Sequence, residues 1–250
     1  MKHTERYTIK WHDTNANREA RPSKLLMYMQ ETANAHLLAN GLSLDSLRDE
    51  RGLAFLLSRI AIHFYRPLYT GDEIEVQTWI CEGRGFSFDR CFVILRGGEV
   101  VAEAYSIWAL LNLREKRLMK TSEFSYGFAP DLPLEAAFTT RLRMPAANEM
   151  LPAGERKIVY SDIDYNGHMN NTNYPDMLCD FVPEIHSRRV VSMTLSFLHE
   201  ATYQHTLRVL RGEHAAGGYY FRTLDENDTV CLDALVLLED LDAIEPKSHS

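Results

Sequence analysis

In the stretch "YSDIDYNGHMNNTNYPDML", Tyr160 to Leu178, Asp164, Asn166 and His168 fall at alternate positions, a D-x-N-x-H spacing. Imidazole is the side chain suited to moving protons near neutral pH. An amide donates and accepts hydrogen bonds, and an ionised carboxylate only accepts them. Downstream, "FLHEATY" holds Glu200, a further proton acceptor where burial raises its proton affinity. Together these four residues form an acid–base set able to act on a bound water. Asp162 reads as a structural elbow residue, and Asn170, Asn171 and Asn173 read as turn and cap residues. The nearby "HEATYQH" is not H-E-x-x-H, and consecutive His199 and Glu200 point to opposite faces of a strand. No metal site is expected.

Such a set needs a scaffold, and the flanking sequence supplies one twice. Aligning "KWHDTNANREARPSKLLMYMQE" from Lys10 with "VYSDIDYNGHMNNTNYPDMLCD" from Val159 gives an offset of 149, so Asp13 meets Asp162 and Asn17 meets Asn166. Each copy reads as a short strand ending in an aromatic, a polar elbow and an apolar helix. Proline suits an opening helical position, which predicts the first helix from Pro22. Leu25, Leu26, Met29, Ala33, His36 and Leu37 then share one stripe. The second helix is expected from Asn171 or Thr172, with Pro175 in its first turn and Pro183 closing it. Afterwards the period changes to two. "EIEVQTWI" alternates, "FSFDRCFVIL" and "EVVAEAYSIWALL" flank a Gly-Gly turn, and four more strands follow in the second half. The order strand–helix–four strands, occurring twice, predicts antiparallel sheets with a helix packed on one face. The chemistry belongs to the second copy. Asn15 stands in place of Asp164, Glu19 in place of His168, and an offset of 133 puts Pro67 opposite Glu200.

The expected units are 1–124, a proline-rich linker at 125–155, 156–245, and a disordered tail at 246–250. The 250 residues are 45% hydrophobic and 25% charged, an ordinary globular composition. No apolar run reaches membrane-spanning length, since arginine interrupts even "LAFLLSRIAI". The N-terminal "MKHTERYTIKWHD" lacks the apolar stretch of a secretory signal. The four cysteines form no C-x-x-C pair, which fits reduced thiols in a cytoplasmic protein. A formal charge of -8 argues against nucleic-acid partners. The local basic clusters, including Arg114 to Lys120, read as solvated faces.

The elbow "SDIDYNGHMNN" followed by "LSFLHEA" resembles the acyl-acyl-carrier-protein thioesterases of plant plastids and their bacterial relatives, over nearly the whole chain. The resemblance implies an α+β tandem (double) hotdog, each module a long helix wrapped by an antiparallel β-sheet. It also implies hydrolysis of fatty acyl-acyl-carrier-protein to free fatty acid, without a cofactor. By position it makes Asp164, Asn166, His168 and Glu200 the catalytic set. A cysteine often follows the acidic residue in the plant enzymes; here Ala201 does, which leaves water as the attacking species. Asn166 can hold either the water or the carbonyl oxygen, and either His168 or Glu200 can take the first proton. Asp164 can orient His168 or Asn166. Backbone N–H groups near Asn171 are expected as an oxyanion site. The first module is expected to line the acyl pocket, with Met27 and Met29 of the 22–40 helix. Arg18, Arg21 and Lys24, or else Arg188 and Arg189, are expected to dock the acidic carrier. Acyl-CoA hydrolysis and non-catalytic binding of acyl thioesters stand as alternatives, and two chains can pair further as a homodimer.

Overall fold

The computed structural model describes residues 2–136 and 138–241. The first half runs through β1 (His3–Thr8), α1 (Pro22–Ala39), a short α2 (Leu44–Asp49), β2 (Leu53–Phe64), β3 (Glu73–Ile80), β4 (Phe88–Arg96), β5 (Glu99–Asn112) and β6 (Arg117–Met119). The second runs through β7 (Leu151–Lys157), α3 (Tyr174–Asp180), β8 (Arg188–Phe197), β9 (Thr206–Glu213), β10 (Gly218–Leu224) and β11 (Val230–Asp240). Pro22 opens α1 where its missing N–H costs nothing, and the predicted stripe of six residues is buried. The run "LAFLLSRIAI" is a central strand, β2, buried on both sides at Ile60, Ala61 and Ile62.

All strands join one antiparallel sheet in the order β1-β3-β4-β5-β2-β8-β11-β10-β9-β7, with β6 on β5. Each half repeats the other's order from its edge inward, and the halves meet at β2 and β8. There Arg59 faces Ser196, Ala61 faces Thr194 and His63 faces Ser192. Those pairs interchange under the 133-residue offset, so a pseudo-twofold axis passes at Ala61 and Thr194. The main core is common to both halves, with Leu26, Met29 and Phe92 beside Leu178, Met193 and Phe221.

Two expectations need correction. The second helix is not long: α3 has seven residues and ends at Asp180, before Pro183. The drop in offset from 149 at the elbow to 133 at the strands removes sixteen residues from just this segment, leaving room for about two turns. The linker also ends earlier than 155, because Leu151–Lys157 is already strand, paired with β9. Parts of the remainder are held against the sheet. Trp79 Nε1 donates to the Leu132 carbonyl (2.7 Å), the Asp131 N–H donates to Ile80 (2.9 Å), and Phe138 lies 4.7 Å from the His63 ring. The expected tail at 246–250 lies outside the described residues.

Candidate active site

The second elbow starts at Asp162, whose buried carboxylate accepts from the Val159 N–H (2.9 Å) and pairs with Arg156 (2.7 Å). Its carbonyl accepts from the Asn170 N–H (2.9 Å) and from Asn173 Nδ2 (3.2 Å). Asp162 is the structural residue that its position suggested. The chain then turns tightly: Asp164 Oδ1 accepts from the Asn166 N–H (2.8 Å), and the Asp164 N–H donates to the His168 carbonyl (3.1 Å). Gly167 takes a φ of 87°, a left-handed conformation glycine adopts without strain. The Met169 N–H donates to the Ala201 carbonyl (2.8 Å), which ties the elbow to the segment carrying Glu200.

This fold-back sets His168 Nε2 3.5 Å from Glu200 Oε1. At that separation the pair is better placed to share a water than to bond directly. The His168 side chain is 21% exposed and that of Glu200 is 64% exposed. The burial expected at Glu200 is absent, because the residue lies past the end of β8. Asp164 orients the Asn166 backbone and makes no side-chain bond to His168.

Sequence reasoning missed Arg48. It sits on α2 of the first half, donates to Asn166 Oδ1 and lies over the Tyr165 ring, 5.6 Å from its centroid. A guanidinium has donors only, so it commits the amide oxygen of Asn166. Asn166 Nδ2 is then left as the functional atom, a donor suited to a carbonyl oxygen. The helix itself had a signal: Ser43 caps it by accepting from the Ser46 N–H (3.3 Å), with Asp45 in the first turn. The link to Asn166, 118 residues away, had none. The next residue inward, Leu47, enters a second apolar cluster with Leu37, Leu42, Leu53, Phe88 and Leu110. Phe55 and Tyr126 stack beside it, 5.8 Å apart. Beneath lies the fully buried Arg90, 3.1 Å from His36 Nδ1; burial and the Arg90 charge push the His36 pKa down to about 4.

Two of the helix-start donors, the Thr172 and Asn173 N–H groups, are committed. Asn170 is the cap, accepting through Oδ1 from the Thr172 N–H (2.9 Å), and its carbonyl takes the Asn173 N–H (2.9 Å). Half-buried Asn171 begins that turn one residue later. Met29 is fully buried in the main core and Met27 is packed against it. Among the described residues, no group of three or more His, Cys, Asp or Glu could hold a metal ion.

The first elbow repeats the bonds that shape the second turn. Asn17 N–H to Asn15 Oδ1 (2.9 Å) matches Asn166 to Asp164, and Asn15 N–H to the Glu19 carbonyl (2.8 Å) matches Asp164 to His168. Ala20 N–H to the Leu68 carbonyl (2.7 Å) matches Met169 to Ala201. Arg18, at φ 63°, occupies the place of Gly167. The acid–base pair is gone, however. Buried Glu19 binds Arg189 across the halves at 3.1 Å; burial raises its pKa and Arg189 opposes the rise. Arg18 and Arg21 belong to this first elbow, and Lys24 lies in the first turn of α1 beside it. Arg21 donates to the Thr14 carbonyl (3.0 Å) and lies 3.5 Å from Asp176, while Arg189 is held by Glu19 and Glu239.

The comparisons agree along the chain. The model for the acyl-ACP thioesterase N-terminal domain matches residues 1–125, and that for the C-terminal domain matches 151–234. The chain is 25% identical to a chloroplastic palmitoyl-acyl carrier protein thioesterase of Cuphea hookeriana, covering 86% of this chain and 56% of that protein. It is also 25% identical to oleoyl-acyl carrier protein thioesterase 1 of Arabidopsis thaliana, covering 80% and 60%. It thus spans under two-thirds of the length of these curated relatives. An acyl-ACP thioesterase structure from Bacteroides thetaiotaomicron superposes with a TM-score of 0.87 at 21% identity, over 95% of this chain and 98% of that one. The 12:0-ACP thioesterase of Umbellularia californica gives 0.82 at 20% identity, over 96% and 97%.

Proposed function

Because the chain belongs to the acyl-ACP thioesterase family, with the double hotdog fold of its solved members, we propose that it hydrolyses fatty acyl-acyl-carrier-protein and releases free fatty acid. The observation that carries this reading is the His168–Glu200 pair, 3.5 Å apart, beside an Asn166 whose oxygen is already bound by Arg48. The thioester carbonyl oxygen accepts from Asn166 Nδ2, with the Arg48 charge close to the developing oxyanion. A water held between His168 and Glu200 attacks the carbonyl carbon, and its proton passes to that pair. The C–S bond breaks, the acid leaves, and the departing thiolate takes a proton. The acyl chain runs from this point into the cluster around Leu47, Phe55 and Phe88, where the alkyl surface is removed from water. The free thiols at all four cysteines support a reducing, cytoplasm-like setting.

The test is free-thiol release from acyl-carrier-protein and acyl-CoA substrates by wild type, His168→Ala and Glu200→Ala. The expected result is rapid release from the carrier-protein panel, reduced about 10²–10⁴-fold in both variants. Faster turnover of the CoA panel would move the carrier assignment. Binding without turnover, with the fold intact, would replace the hydrolase reading by a binding module.

A further inference from the structure

The first elbow keeps the architecture of the second without its acid–base groups, and a cavity of about 390 Å³ opens there. That volume lies within the range of small-molecule sites, about 300–1,000 Å³. Its base is apolar, formed by Leu25, Phe64, Leu68, Ile185 and Val190 from both halves. Its walls carry Arg21, Arg66 and Arg188, each with one carboxylate partner at a long distance: Asp176 at 3.5 Å, Glu99 at 3.5 Å and Asp240 at 3.3 Å. Glu99 and Asp240 are themselves 58% and 73% exposed, so these contacts are easily exchanged for a better-placed anion. The one deeply buried carboxylate, Glu19, is already neutralised by Arg189, so it does not repel an incoming anion strongly.

The wall is fixed from both halves. Asn17 Nδ2 donates to the His186 carbonyl (3.1 Å), as Asn166 engages Arg48 at the other end. Pro67 stands where the catalytic end has Glu200, and Glu19 where it has His168. A ligand entering here meets a hydrophobic floor and guanidinium groups beside Asp176, Asp180 and His186, with no imidazole–carboxylate ion pair among the described residues of the cavity to activate water. We infer that this cavity is a second, non-hydrolytic site that binds an alkyl carboxylate, its chain against Leu25, Phe64, Ile185 and Val190 and its carboxylate among Arg21, Arg66 and Arg188. Bidentate guanidinium–carboxylate pairing supplies the orientation, and burial of the alkyl chain supplies most of the affinity. The inference stands independently of hydrolysis at the second elbow.

The experiment titrates the methyl-labelled 250-residue chain with decanoate, acetate and decanol, reading the methyl resonances of Leu25, Ile185 and Val190. Decanoate is expected to shift all three saturably. Acetate, lacking the chain, and decanol, lacking the charge, are expected to bind at least tenfold more weakly. Arg66→Glu, on the exposed wall, and Ile185→Trp, which fills the floor, should each weaken decanoate at least tenfold. If Ile185→Trp fails to fold, Arg66→Glu decides alone. Shifts confined to methyls near the second elbow, such as Leu47 and Leu53, would overturn the inference. So would decanoate affinity unchanged in Arg66→Glu. Thiol release, measured on the same samples, separates the two readings: its absence refutes the hydrolase and leaves this site standing.

Discussion

Asn15 and Asp164 build the same turn, accepting from the N–H two residues on at 2.9 and 2.8 Å. The shape of the elbow therefore needs an oxygen acceptor at this position and not a negative charge. Asp164→Asn should leave thermal stability within about 0.5 kcal/mol of wild type while lowering kcat, because the field of the carboxylate beside Asn166 and His168 is lost. Melting curves beside thiol-release kinetics check this; a large loss of stability would show that the charge holds the turn. Arg48 makes the complementary case. Removing it frees the Asn166 amide to rotate and withdraws a positive charge from the oxyanion position. Arg48→Ala should cost about ten- to a hundredfold in kcat with a smaller change in KM. Arg48→Lys should recover only part, since an ammonium lacks the planar fork of donors. Equal kcat in all three proteins would remove Arg48 from the site.

The elements were legible to different depths. The stripe on α1, the Gly-Gly hairpin and the alternating strands are local patterns, and each formed where its period placed it. D-x-N-x-H was legible because one tight turn carries all three residues. Arg48 was not, because its partner lies in the other half and only tertiary packing brings α2 to the elbow. The length of α3 was misread because two prolines and several caps bracket a longer segment than the sheet leaves room for. Basic clusters are the least legible feature, since a charge run does not say which end of the molecule it faces. Arg114 donates to the carbonyl of Glu50, which ends α2 two residues beyond Arg48, so exposed Arg51, Arg114 and Lys116 stand at the catalytic end. Arg18 and Lys24 stand at the other. Lys116→Glu and Arg51→Glu should raise KM for a carrier-protein substrate about tenfold and steepen with lower salt, sparing a small soluble thioester. Arg18→Glu and Lys24→Glu should change it less. The reverse ranking would return docking to the first elbow.

At the scale of the whole molecule, the two halves are a duplicated unit that cannot be separated. β2 and β8 pair through the pseudo-twofold axis at Ala61 and Thr194, and the core draws on both halves without a dividing layer. Each elbow is also completed from across the axis, Asn166 by Arg48 and Glu19 by Arg189. A chain built this way has no low-energy state in which one half is folded and the other is not. Cutting at β2–β8 would expose two long apolar strand edges and leave buried Glu19 without its cation. Heat should therefore unfold the protein in one transition, with calorimetric and van't Hoff enthalpies equal. Thr194→Pro removes a ladder hydrogen bond from a strand paired on both sides and should destabilise by about 3 kcal/mol or more. It should lower the melting of both halves together, read through tryptophan fluorescence in the first, where Trp11, Trp79 and Trp108 all lie, and through the methyl resonances of Ile185 and Val190 in the second. Two resolved transitions, one of them unmoved by Thr194→Pro, would show that the halves fold as independent domains and that the axis is only a contact between them.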